Sequence, residues 1–456
     1  MKSLMFSAVA ILASVGAFAD ATIERVLIRQ QWPWNEKVAI DFVLTNVTAL
    51  TQVDCDVYFG GTRVELPDGA LSGDVYELTS DGAYRIMFDP SYIPGFPANG
   101  GMVRFVLTPS VMSNDSRYRE VLYKIFDLEN ATVTDVTRGA LLNGQYGSIE
   151  TDYSKIGEGY QSPLSDVLIW TGVTNYPGAR TTKLVMRKIP EGSFEYPKSG
   201  KWSSSTKYTI TVSKPFYIGV FELTQKQYTY FMNETYAHGD YFKPTALACN
   251  AGDEKPLQNF GVHMNIFNGT ARNWWEADNG ALKNLKDKFS AAGTYNFDLP
   301  TEAMWYRAMR ADSTTYYYDG IAETPTDFDY NDRMAVLGRF AGTGGLVDNG
   351  DGTVTTNGTV VVGQYRPNAF GLYDMLGNVM EATHDSGSWY LSDLTDPCGG
   401  VTGNGAGIFG NAWERNGEIW PQSEINRNVH STAKYPWIGV RLAFFEGAHP
   451  NKPVEE

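Results

Sequence analysis

Cysteine, histidine and basic charge are the scarce commodities of this sequence. Three cysteines, Cys55, Cys249 and Cys398, occur in 456 residues. The number is odd, and the spacing fits neither a disulfide framework nor a CxxC zinc site. Cys249 and Cys398 either pair, closing a long loop worth about 4–5 kcal/mol in the chain-entropy model, or all three remain buried thiols. The five histidines (His238, His263, His384, His430, His449) form no HxH, HxxxH or HExxH pair, so transition-metal catalysis has no support in the sequence. His384 with Asp385 is a candidate surface acid–base pair, set against the plainer reading of a structural histidine. Lys and Arg total 37 against 52 Asp and Glu, a formal charge of −15. Such a surface repels phosphate backbones and anionic lipid, so nucleic-acid and membrane-surface partners are not expected. GxSxG, Walker and dinucleotide-glycine patterns are missing as well.

The N-terminus has the layout of a secretory leader. Lys2 supplies the positive end, Leu4 to Ala17 carries no charge, and Ala17-Phe18-Ala19 fits a small-x-small cleavage site. The expected mature chain starts at Asp20, is exported, and has no membrane span, because no other segment is long and apolar enough. Residues 1–19 are thus assigned to the leader. Hydrophobic content of 43% and an aromatic share of 13% with 46 Gly suit short strands and tight turns rather than a helical bundle.

Residues 20–130 alternate apolar and polar positions with a turn signal every 8–15 residues. Val38–Leu44, Val53–Phe59, Ala83–Phe88 and Met102–Leu107 are the clearest runs. This pattern predicts an N-terminal all-β, immunoglobulin-like sandwich. A connecting segment, 131–182, is rich in Gly, Ser, Thr and Tyr, with Leu168-Ile169-Trp170 and Tyr176 as apolar anchors. From Lys183 the reading is α+β, ending at 448 before a tail of 449–456. Leu184–Pro190, Tyr208–Val212 and Phe216–Val220 read as strands. Thr224 and Gln227 have capping-box spacing, and Thr301 opens a helix with Trp305, Ala308 and Met309 on one stripe.

Five segments of this second part carry a resemblance. Leu299-Pro300-Thr301-Glu302-Ala303-Met304-Trp305 resembles the LPTEAEW signature of the formylglycine-generating, or sulfatase-modifying-factor, family. Arg366 to Glu381 (RPNAFGLYDMLGNVME) resembles its PNAFGLYDMAGNVWEW block. Ile189 to Phe194 is similar to the PGGxF opening, Phe216 to Gln227 to the FxIDxxEVTNxQY segment, and Gly439 to Ala443 to the closing GFRVA strand. The resemblance runs over 183–445 in the family's order. It implies a C-type-lectin-like α+β sulfatase-modifying-factor domain.

The departures from the family pattern bear on activity. The family's oxidase uses two cysteines just after an RGGSW-like strand to hold Cu(I), chemistry that needs soft thiolates. The matching strand here is Phe409-Gly410-Asn411-Ala412-Trp413, the two cysteine positions fall near Arg415 and Trp420, and residues 399–456 contain no cysteine. The serine of that strand is Ala412, and the tryptophan of the GNVWE block is Met380. Copper is therefore not expected, nor formylglycine-generating chemistry, and no catalytic residue is assigned.

The resemblance also implies a structural calcium at Asp374, Gly377, Val379 and Glu381, through two carboxylates and two backbone carbonyls. The competing use of Asp374 and Glu381 is to cap local turns. A second family calcium site has Asn331 but aligns its aspartate with Val354, and the acidic turn Asp348–Gly352 between them reads as a hairpin. The stretch from Trp413 to Trp437 interleaves aromatics with amides and arginines. It makes Trp413, Arg415, Trp420, Arg427 and Trp437 the candidate ligand-binding residues for an unknown glycan or protein, unless the tryptophans fill the core. The expectation is an exported, non-catalytic ligand-binding scaffold. A divergent oxidoreductase of the same family and a structural cell-surface component are the alternatives.

Overall fold

A computed structural model describes residues 5–10, 21–30, 37–48, 50–64, 66, 70–76, 78–93, 102–111, 119–151, 168–197, 206–230, 252–258, 281–321, 323–327, 331–384, 392–398, 407–416 and 436–446. The expected cleavage site, Cys249, Asp385, Trp420, Arg427 and the tail lie outside these residues. The chain divides into two compact units. One comprises Met1–Leu122, Val136–Thr151 and Pro163–Val173, and the other Tyr123–Asp135, Asp152–Ser162 and Thr174–Glu456.

In the first unit the strands are β1 (Met5–Ala10), β2 (Thr22–Gln30), β3 (Val38–Thr45), β4 (Thr51–Phe59), β5 (Thr62–Val64), β6 (Leu71–Gly73), β7 (Gly82–Phe88) and β8 (Met102–Val111). All four strongest alternating runs of the sequence form strands, each within a few residues of the expected bounds. One four-stranded sheet has the order β2-β3-β7-β6 and the other β1-β8-β4-β5. Alternation places Ile40, Phe42 and Leu44 inside, while Asp41 faces out and accepts a hydrogen bond from Arg85 Nε at 2.6 Å. Phe88 of one sheet meets Phe105 of the other edge-to-face, with centroids 5.3 Å apart. Cys55 of β4 is a buried thiol, its pKa pushed upward by burial.

Next come β9 (Val121–Asp127), β10 (Thr132–Thr137), the short helix α1 (Arg138–Leu142), β11 (Lys183–Ile189), β12 (Gly192–Pro197), β13 (Lys207–Val212) and β14 (Phe216–Gly219). Helix α2 (Gln225–Thr229), α3 (Ala281–Phe289), β15 (Tyr295–Asp298), α4 (Glu302–Arg310) and α5 (Asp332–Leu337) follow. The chain closes with β16 (Leu346–Asp348), β17 (Val354–Thr356), β18 (Met380–Ala382), β19 (Leu394–Thr395), β20 (Ile408–Phe409), β21 (Ile438–Val440) and β22 (Ala443–Glu446). The described architecture is thus mostly β. Its largest sheet runs β10-β9-β11-β14-β22-β15, so β9, which precedes the connecting segment, pairs with β11.

Phe126 of β9 is the hub of that sheet's core. Its ring makes edge contacts with Phe289, Tyr295, Phe297 and Phe444 at 5.1, 4.9, 4.9 and 5.3 Å. Helix α3 covers them with Leu282, Leu285 and Phe289, all fully buried. The Thr224 capping box forms as expected, with Gln227 N–H donating to Thr224 Oγ1 and Thr224 N–H to Gln227 Oε1. Thr301 caps α4, and Trp305, Ala308 and Met309 form its buried stripe. The turn Asp348–Gly352 joins β16 to β17, which pair antiparallel as the expected hairpin. Asn331 caps α5, accepting from Met334 N–H at 2.9 Å. Among the described residues no helix is long and apolar enough to cross a membrane.

Candidate functional site

A three-stranded sheet, β20-β18-β21, gathers the segments that carry the resemblance. Glu381 in β18 faces Phe409 across one side and Gly439 across the other. The loop leading into β18 is fixed from below by Asn368, whose amide donates to the α4 carbonyls of Ala308 (2.7 Å) and Met309 (3.2 Å) and accepts from Phe370 and Leu372 N–H. Tyr373 N–H then donates to Val220 O, and the chain turns through Asp374 and Asn378, both in the left-handed region at φ 55° and 57°. Gly377 between them has φ +79°, and a Cβ there would stand 2.6 Å from the Arg339 carbonyl. Only glycine passes at that point.

These turns place four charged side chains in one buried cluster. Glu222, Asp374, Glu381 and Arg441 are each no more than 1% exposed. Arg441 Nη2 and Nε donate to Glu381 at 2.6 and 3.0 Å, and its remaining hydrogen bonds reach Gly219 O (2.9 Å) and Tyr373 O (2.8 Å). Trp305 Nε1 adds a 2.6 Å donation to Glu381 Oε2. Glu222 accepts from Asn378 Nδ2 at 2.6 Å and from Val379 N–H at 3.1 Å. Asp374 Oδ2 accepts from Gly363 N–H, while Oδ1 is buried without a hydrogen-bond partner.

Three carboxylates share one guanidinium, and the electrostatics follow. Burial pushes Asp374 up to about 6, against the bonds and charges that favour its ionised form. Burial, then the charges of Asp374 and Glu381, push Glu222 well above the usual carboxylate range. Burial opposes the charge on Arg441, but Glu381 outweighs it and raises the guanidinium pKa. A third free negative charge in this buried cluster carries a large desolvation cost.

Of the four residues implied as calcium ligands, Asp374, Gly377 and Val379 lie on the loop before β18 and Glu381 lies in β18 itself. Glu381, however, has both oxygens engaged by Arg441 and Trp305. Among the described residues no three His, Cys, Asp or Glu side chains are arranged as a metal-ligand group. Glu222, Asn378, Trp305 and Arg441 join the cluster only through the fold. A signal existed for Glu222: it is the lone charge in the apolar run Ile218-Gly219-Val220-Phe221-Glu222-Leu223, where a buried acid demands partners. His384 is not a surface acid–base residue. It is fully buried, with Nδ1 3.4 Å from Asp298 Oδ1, because Thr383 and His384 extend β18 inward, the His384 N–H bonding to Pro300 O.

The described residues of the aromatic stretch divide into core and rim. Trp413 is 3% exposed, and its backbone carbonyl lies so close to Gly345 that a Cβ there would be 1.8 Å away. As placed, it offers no face to a ligand. Arg415 is pinned through its backbone, N–H to Ala412 O and carbonyl to Ala341 N–H, while its side chain is 46% exposed. The guanidinium lies 6.0 Å from the ring centre of Trp437, which is half-buried and packs against the core.

Residues 175–444 match the family model described as the sulfatase-modifying factor enzyme 1-like domain. Similar solved structures include Treponema denticola variable protein 1, at 18% identity over 57% of this chain and 95% of that one, with a TM-score of 0.41. PvdO from Pseudomonas aeruginosa is 20% identical over 57% and 94%, with a TM-score of 0.38. CarF is 16% identical over 57% and 97%, with a TM-score of 0.34. The chain matches none of the curated proteins.

Proposed function

The chain belongs to the sulfatase-modifying factor enzyme 1-like family, and from that premise we propose that it is an exported, non-catalytic binding protein. One observation carries this reading. Near the position where the resemblance calls for the first copper-binding cysteine stands Arg415, a half-exposed guanidinium beside the Trp437 ring whose Nε pairs with Glu414 at 3.0 Å. A cation over an indole is a recognition surface for polar and anionic groups. A guanidinium cannot ligate Cu(I), which needs soft sulfur, and residues 399–456 contain no cysteine. The leader and the strand-rich first unit complete the picture as an export signal followed by an immunoglobulin-like sandwich. The lectin-like fold of the second unit would carry the ligand on its Arg415–Trp437 rim, with Trp420 and Arg427 in the same stretch of sequence. The ligand class is a glycan or a protein surface.

A structural calcium belongs to the same reading. Asp374 fits the role, because its Oδ1 is buried and has no hydrogen bond. Glu381 is held by Arg441, so Gly377 and Val379 would contribute backbone carbonyls and Asp374 the direct charge. The ion would neutralise the acidic cluster and fix the loop.

Copper and oxygen test the lack of oxidase activity. The expected result is no tight Cu(I) binding, no conversion of a sulfatase-type cysteine peptide, and no change on Cys398→Ser. A formylglycine product by mass spectrometry that depends on Cys398 overturns the reading in favour of a divergent oxidoreductase. The binding rim makes a second prediction. Arg415→Ala should weaken saturable binding to a glycan or protein panel by about 1–2 kcal/mol, roughly tenfold, while the melting temperature stays unchanged. Equal affinity in the variant removes this rim from the site.

A further inference from the structure

The first unit is a sandwich short of one strand. In the immunoglobulin scheme one sheet runs A-B-E-D and the other C-F-G. The order β2-β3-β7-β6 supplies A, B, E and D, while β4 and β8 supply C and F, with β5 beyond C. The next strand in the chain, β9, would be G, but it pairs with β11 in the six-stranded sheet. The G position on the outer edge of β8 is filled instead by β1, in parallel, with Met5 facing Met102 through Ala10 facing Leu107. Those six residues lie inside the leader.

The backbone of β8 is directed to receive a strand there. Val53 N–H donates to Val75 O at 2.8 Å, so at the Val53–Pro109 pair the backbone groups of both residues turn away from each other. By the period of two, Val103, Phe105 and Leu107 direct their N–H and C=O groups to the outer edge. Pro109 falls in the same set and has no N–H, so it closes the outer ladder at that end. The side chains of Val103, Phe105 and Leu107 are at most 1% exposed and form part of the sandwich core.

We propose that β8, once the leader is removed, is the acceptor edge for a β-strand supplied by a different protein. The donor is an extended segment of six residues, the length of the β1 ladder, apolar on the face that continues the sandwich core. A second copy has no unpaired described strand from Thr22 onward to insert, so it could meet this edge only through an edge strand already paired on its other side. An unprotected edge of this length would otherwise associate indiscriminately. The proposal rests on the reading of residues 1–19 as a removed leader and of the first unit as immunoglobulin-like.

The test uses the full mature chain from Asp20 and a soluble peptide carrying the Met5–Ala10 sequence. Saturable one-to-one binding with a raised melting temperature is the expected result. The same peptide N-methylated at alternate residues on its ladder side should bind at least about tenfold more weakly, because it cannot complete the ladder. A chain that retains residues 1–19 should not bind the peptide at all. Absence of binding to the mature chain, or equal binding of the methylated peptide, overturns the acceptor edge. A stable dimer of the mature chain that the peptide disperses would assign the edge to a second copy and also overturn it. The mass of the exported protein separates the two failures: retention of Met5–Ala10 refutes the leader reading, whatever the peptide does.

Discussion

Arg441→Met should cost the second unit about 3–5 kcal/mol, a large fraction of an ordinary domain stability of about 5–15 kcal/mol. The cost does not come from the Arg441–Glu381 bond alone. The guanidinium makes hydrogen bonds to Glu381, Gly219 and Tyr373, joining β14, the loop before β18 and β18 itself. Removing it strands Glu381 beside Glu222 and Asp374 with no cation among the four clustered groups. Arg441→Lys keeps the charge but loses the fork that reaches three partners, so it should fall between wild type and Met. Replacing both partners, with Arg441→Met and Glu381→Leu together, should cost less than Arg441→Met alone, because no uncompensated charge is left. Urea denaturation followed by tryptophan fluorescence measures all three. A loss under about 1 kcal/mol for Arg441→Met would mean that the fold does not depend on the guanidinium to hold this cluster together.

The readable parts of the fold were those governed by local periodicity and capping. Val38–Thr45 and Gly82–Phe88 announce themselves by alternation, and Thr224 and Thr301 by the acceptor each offers to the first turn of a helix. Strand neighbours were not readable, because pairing depends on chain segments far apart. Nothing around Val121–Asp127 says that it pairs with Lys183–Ile189 rather than with β8. The site followed the same rule. Its loop was legible from the GLYDMLGNVME block, while the partner acid Glu222 lies 156 residues from Asn378 and becomes visible only through the fold. Trp413 reads as a binding residue because exposure cannot be read from residue type; in the fold its side chain is buried, with Nε1 directed to Pro436 O at 3.5 Å.

Calcium and acid should substitute for each other in the cluster. In the folded state burial raises the Asp374 carboxyl from 3.8 to about 6. Between those values the folded chain holds a proton that the unfolded chain has released, so stability falls as pH rises through the window. The contribution is complete below the unfolded value and lost above about 6. A rise of that size corresponds to roughly 3 kcal/mol. Glu222, raised by the same burial and by its acidic neighbours, acts in the same direction. In chelator-stripped protein the melting temperature of the second unit should therefore be higher near pH 5 than near pH 7.5, against a background set by the other groups. A cation at Asp374 removes the need for the proton. Calcium at about a hundredfold excess over its dissociation constant should add about 2.7 kcal/mol near pH 7.5, and distinctly less near pH 5, where protons compete. Asp374→Asn, neutral at every pH, should flatten the difference between the two pH values and abolish the calcium response. A calcium response that survives Asp374→Asn unchanged would place the ion elsewhere. A wild type with neither response would leave Asp374 as a turn residue whose carboxyl is neutralised within the fold.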